Sequence, residues 1–201
     1  LAGALTVSGN VDGLSALTLS QAAGAAFLGN IGSAAPGSLS VGNSITGTLQ
    51  FTGASATFTQ AALDAGPYLA EFKNTNATTI QSNTQFNNTG GVWLGVPSSQ
   101  VTIKGTLEVT SSAVTLAGVV GTTGKNIQFL QDTVVNGTTK LETNLGSTSG
   151  ANITLQGALN GATPGADSIT LTSGTGTITA TGLVGATNRL GSIILGPNAG
   201  V

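Results

Sequence analysis

The sequence predicts an all-β chain wound as a right-handed parallel β-helix, about ten coils with a period near 20 residues. Three observations carry that expectation. One phrase recurs along the chain: a short alternating strand, Gly, one or two apolar residues, a soft turn, then a strand again. Its glycines keep a steady interval, with Gly9, Gly29 and Gly47 spaced 20 and 18 apart and Gly118, Gly137 and Gly157 spaced 19 and 20 apart. Charged residues are only 6% against 39% hydrophobic, so polarity rests on Thr, Ser and Asn, and disorder does not fit.

Taken in order, the phrase first appears as LTVSGNVDGLSALTL (5–19) and FLGNIGSAAPGSLSV (27–41). Shorter cousins follow as ITGTLQF (45–51) and IKGTLEV (103–109). It returns as VTLAGVVGTTGKNIQF (114–129), at 153–171, and as ITATGLVGATNRLGSIIL (178–195). Strands of about three to five residues are marginal as isolated hairpins. Stacked coil on coil they pair in parallel about 4.8 Å apart. Leu5, Val7, Leu17, Leu19, Leu116, Ile153, Leu155, Ile169, Leu171, Ile193 and Leu195 then build one apolar column, with Thr6, Thr18, Thr115, Thr154 and Thr170 outside. Between 58 and 100 the phrase blurs, and irregular coils with longer loops are expected there, with a helical turn at TQAALDAG (59–66). No domain boundary interrupts the single unit 1–201.

The stretch ADSITLTSGTGTITATGLVGATNRLGSIIL (166–195), with weaker copies at 5–41 and 114–129, resembles bacterial filamentous-haemagglutinin-type exoproteins and related giant surface adhesins. That resemblance implies a secreted β-helix at the bacterial cell surface, acting as a fibre, stalk or adhesin. The expected role is a structural, non-enzymatic shaft of a surface fibre or matrix filament. Both sequence ends fall mid-phrase without a charged cap, so head-to-tail partners are expected, either flanking repeats or copies of the chain. The alternative is a glycan- or receptor-binding adhesin segment using 58–100, with host or cell-surface glycans as partners.

Other chemistries have little to work with. His and Cys are absent, no cofactor or metal is expected, and five Lys plus Arg argue against nucleic acid. The acids Asp12, Asp64, Glu71, Glu108, Asp132, Glu142 and Asp167 read as scattered solvated charges. Stacking could gather Glu108, Asp132 and Glu142, as in glycan-cleaving β-helix enzymes, but the scarcity of basic residues disfavours that reading. GGVWLGVP (90–97) lacks the Asp of a calcium-binding repeat. No run of about 18 apolar residues suggests membrane insertion, and the strands are short for a barrel.

Three surface features remain as candidates. Tyr68 and Trp93 could stack against a sugar, although a lone Trp more often fills a core. Asn76, Asn87, Asn136 and Asn152 stand in Asn-x-Ser/Thr sequons, where corner-capping Asn is the simpler reading. The threonines of 170–181, with Thr57 and Thr59, suggest a water-ordering array, set against the ordinary preference of Thr for outward strand positions.

Overall fold

A computed structural model describes residues 3–147 and 149–196. Among these the chain is all-β, a parallel solenoid of about nine turns with a period near 22 residues. The first coils hold β1 (Ala4–Val7) and β2 (Ala16–Ala22), then β3 (Gly24–Phe27) and β4 (Ser38–Ile45). The middle coils are three-stranded: β5 (Thr48–Phe51), β6 (Ser55–Phe58) and β7 (Gln60–Leu63), followed by β8 (Leu69–Phe72), β9 (Ala77–Ile80) and β10 (Thr84–Phe86). The next coil holds β11 (Val92–Leu94), β12 (Gln100–Ile103) and β13 (Leu107–Val109). Two coils then carry long strands, β14 (Val114–Thr122) with β15 (Ile127–Phe129), and β16 (Thr133–Glu142) with β17 (Ile153–Leu155). The last are β18 (Leu159–Gly161), β19 (Ser168–Thr172), β20 (Ile178–Ala180) and β21 (Ser192–Leu195).

The coils stack into three faces. β1, β3, β5, β8 and β11 run in order into the start of β14 and so to β16 and β18, forming the first face. The second contains β6, β9, β12, the ends of β14 and β16, β19 and β21. β2, β4, β7, β10, β13, β15, β17 and β20 make the third. The first two faces join into one 13-stranded sheet because β14 and β16 round the corner without a break. The register shifts there, between Leu116 and Gly118.

That corner demands glycine. Gly118 sits at φ 67° and Gly137 at φ 75°, a left-handed backbone that side-chain-bearing residues rarely adopt. A Cβ on Gly118 would also lie 2.3 Å from the Val96 carbonyl oxygen. At another corner Gly9, Gly29 and Gly53 stack so closely that a Cβ on Gly53 would meet the Gly29 oxygen at 2.1 Å. The sequence spacing therefore pairs some glycines wrongly. Gly47 packs on Ala23, not on Gly29, and Gly157 stacks under Gly182 at a different corner from Gly118 and Gly137.

Alternation explains the interior. Leu39, Val41, Leu107, Val109, Ile127, Phe129, Ile153 and Leu155 are buried, while the residue between each pair points outward. Phe27, Phe51 and Phe72 stack at 5.2 and 5.0 Å between centroids, and Phe58 and Phe86 meet this ladder edge-on. Each such aromatic pair contributes about 0.5–1.5 kcal/mol beyond area burial. Among the expected column residues, Leu19, Leu116, Ile153, Leu155, Ile169 and Leu171 are buried. Val7 and Leu17 are half-buried, whereas Leu5, Ile193 and Leu195 are 41%, 43% and 48% exposed. The exposed three belong to the outermost described rungs, which among the described residues pair on one side only. Of the expected outward threonines, Thr6 and Thr18 are exposed; Thr115, Thr154 and Thr170 are half-covered by the coils on either side.

Two expectations for the middle need correcting. Residues 59–66 do not form a helical turn: Gln60–Leu63 is β7, with Ala61 and Leu63 inward and Gln60 and Ala62 outward. The stretch 58–100 is not irregular either. β8 to β12 pair in register with their neighbours, and the residues that blurred the phrase are folded into the wall. Asn74 and Asn88 are buried, their side-chain N–H groups donating to the carbonyl oxygens of Gly53 (3.0 Å) and Tyr68 (2.9 Å). An inward-turned amide satisfies a corner carbonyl just as a turn residue does.

Candidate functional site

Tyr68 and Trp93 are separated by the wall. Tyr68 is 0% exposed and its hydroxyl donates to the Asp64 carbonyl oxygen at 2.9 Å. Burial raises the Tyr68 phenol well above its ordinary range, with the Asp64 charge adding to the effect. Trp93 lies at the centre of β11 on the outer side of the first face, half-buried, and does not fill the column as a lone Trp was expected to. Only Trp93 therefore offers a ring to the surface.

The outward row through Trp93 explains its setting. In register it reads Gln50, Glu71, Trp93 and Thr115. Gln50 Nε2 donates to Glu71 Oε2 at 2.8 Å, and Lys73 Nζ donates to Glu71 Oε1 at 2.5 Å. The same ammonium sits 3.7 Å from the Trp93 ring centroid, and the indole N–H donates to the Gly95 carbonyl oxygen at 3.0 Å. One face of the indole is thus occupied by a cation, an attraction of about 0.5–2 kcal/mol.

The acids separate into two groups by what they do. Glu142 pairs with Lys140 at 2.8 Å, as Glu71 does with Lys73. Asp132 accepts from the Ala158 N–H at 2.8 Å, and Asp167 from the N–H groups of Gly137 (2.6 Å) and Thr163 (2.5 Å). Asp12 accepts from the Ser33 hydroxyl at 2.8 Å and from the Ala34 N–H, which hold its carboxyl below the usual carboxylate range. Asp12, Asp132 and Asp167 thus tie neighbouring segments together, while Glu71 and Glu142 are held in ion pairs. Asp64 and Glu108 remain, with no side-chain hydrogen bond to another described residue; both line a depression on the third face. Glu108, Asp132 and Glu142 lie on the third face, at the corner before β16 and on the second face, so they do not converge. Among the described residues no three His, Cys, Asp or Glu side chains could share a metal ion.

The sequon asparagines differ in availability. Asn76 is exposed at the turn before β9, and Asn136 lies half-buried beside the Gly137 corner. Asn87 Oδ1 accepts from the Thr110 hydroxyl at 3.1 Å. Asn152 is part of a corner ladder: its N–H donates to Asn126 Oδ1, and its own Oδ1 accepts from the Thr177 N–H, each at 3.0 Å. Asn10 and Asn30 repeat the device at another corner.

The threonines do not make one flat array. Thr170 and Thr172 belong to β19 on the second face, Thr175 and Thr177 occupy the corner, and Thr179 is on the third face. Thr57, Thr79 and Thr102 do stack in register, but Gly121 and Glu142 continue that row. In GGVWLGVP, Gly91 and Gly95 take φ 111° and 84°, which is turn geometry.

Compared with known proteins, the chain matches no protein family, no curated protein and no solved structure.

Proposed function

We propose that the chain is a shaft segment: a structural, non-enzymatic part of a secreted bacterial surface fibre or extracellular matrix filament. The supporting observation is the continuous apolar column, enclosed by parallel ladders that run from coil to coil on all three faces. Leu5, Ile193 and Leu195 occupy ladder positions on the outermost rungs. A further coil, supplied by flanking repeats or by another copy, would bury them as Leu155 and Ile169 are buried. Each aliphatic side chain so covered contributes about 1.5–3 kcal/mol, and the outer edges of β1 and β21, unpaired among the described residues, gain partners. The in-register pairing of the strands within 58–100 also suits a shaft.

Cryo-electron microscopy of the native material tests this reading. The expected result is a spacing of about 4.8 Å running without interruption through the junction between units. Isolated particles whose end coils are covered by a non-solenoid cap would overturn it.

A further inference from the structure

The third face carries a shallow groove of about 320 Å³ across the coils of β7, β10 and β13. Its floor is set by Ala62, which stands in the outward row where Gln85 and then Glu108 follow in register. Gln60 and Asp64 flank the alanine on the same coil. A methyl group between longer polar side chains leaves the depression. We propose that this groove binds a neutral, extended oligosaccharide laid along the solenoid axis.

The donor and acceptor set points to hydroxyl groups. Gln60 and Gln85 each offer a carbonyl acceptor and an NH₂ donor, and Asp64 and Glu108 offer acceptor pairs suited to vicinal hydroxyls. None of these four side chains is hydrogen-bonded to another described residue, in contrast to the five acids committed to corners and ion pairs. No Lys or Arg lines the groove, so a sulfated, phosphorylated or uronate chain would meet two carboxylates without a compensating cation. A single cation fits poorly as well. The backbones of Asp64 and Glu108 are two rungs apart, on the order of 10 Å. The polar groups repeat from rung to rung, so a ligand that repeats along the axis can use several at once. The groove lies on the flank of the column, and its occupancy does not depend on how coils meet end to end.

The test is isothermal titration calorimetry on the full 201-residue chain with cellohexaose, β-1,4-mannohexaose and β-1,4-xylohexaose. Trigalacturonate and calcium chloride serve as charged probes. The expected result is a Kd at or below roughly 1 mM for at least one neutral hexasaccharide. Gln85→Ala and Glu108→Ala should each weaken it by about tenfold or more, and Trp93→Ala on the first face should leave it unchanged. Both groove residues are outward and unbonded, so circular dichroism melts of these variants should superimpose on the parent. Glu108→Gln, which keeps shape and one acceptor, should retain more affinity than Glu108→Ala. Absence of binding by all three neutral sugars overturns the proposal. So does binding insensitive to the groove substitutions, loss of binding with Trp93→Ala, or binding confined to trigalacturonate or calcium.

Discussion

The coils spanning 48–109 and those spanning 159–196 share one plan of strand and corner but are filled differently. In the first group Phe51, Phe58, Phe72 and Phe86 pack against one another at 0–1% exposure, with coils above and below. In the second the interior is aliphatic, and burial decays along it: Ile169 is at 0%, Leu171 at 3%, Ile193 at 43% and Leu195 at 48%. The side chains that lose cover are no less apolar than those that keep it. Burial in a solenoid is set by the neighbouring rungs more than by the residue, because each coil touches only the coils beside it.

Substitutions can break this contrast or sharpen it. The largest effect belongs to Phe51→Ala, which removes the ring shared by three aromatic contacts and should cost about 3–5 kcal/mol in urea unfolding. Gly118→Ala should cost about 1–3 kcal/mol, since its Cβ would meet the Val96 oxygen at 2.3 Å from a left-handed backbone. A loss below that range in the same assay would show that the corner between the first two faces relaxes freely. Tyr68→Phe should cost about 1 kcal/mol at neutral pH and also change the alkaline limb. The folded phenol titrates above the unfolded one, so its contribution is complete below pH of about 10. It then falls as pH rises, because the unfolded chain releases a proton that the folded chain keeps. The difference between parent and Tyr68→Phe, followed by urea midpoints from neutral to alkaline pH, should therefore shrink above that point.

Smaller effects are expected where the wall is thin. Asn152→Ala removes the acceptor of the Thr177 N–H and hydroxyl bonds and should cost about 1 kcal/mol. Ile194→Thr, outward on β21 and 53% exposed, should stay within about 0.5 kcal/mol in thermal melts. A loss as large as that of Phe51→Ala would mean that the outermost rung is covered in solution.

Much of the fold was legible because the signal is periodic. Alternation at 153–155 and 169–171 placed Ile153, Leu155, Ile169 and Leu171 correctly, and the recurrent glycines announced corners. What the sequence hid was which corner each glycine serves, since a period near 22 over three faces allows several pairings of similar spacing. Residues 58–100 looked irregular because the phrase blurs there, yet its strands pair in register and the connecting residues Asn74 and Asn88 turn inward. The surface was harder to read. The Tyr68–Trp93 pairing failed because adjacent coils put one ring inside the wall and the other outside. The groove beside Ala62 has no motif, as it is made by one short side chain in a row whose members are about 23 residues apart. The cross-strand register needed to find it becomes available only once the coils are stacked.

Trp93 is the only tryptophan in the chain, fixed near mid-length beneath an ammonium 3.7 Å from its ring. Its emission is a built-in probe of one place. Fluorescence follows the parting of Lys73 from the indole, while far-ultraviolet dichroism follows every strand. Coincident curves would mean that the rod melts as one cooperative unit; a dichroism loss preceding the emission change would show it fraying inward from its ends.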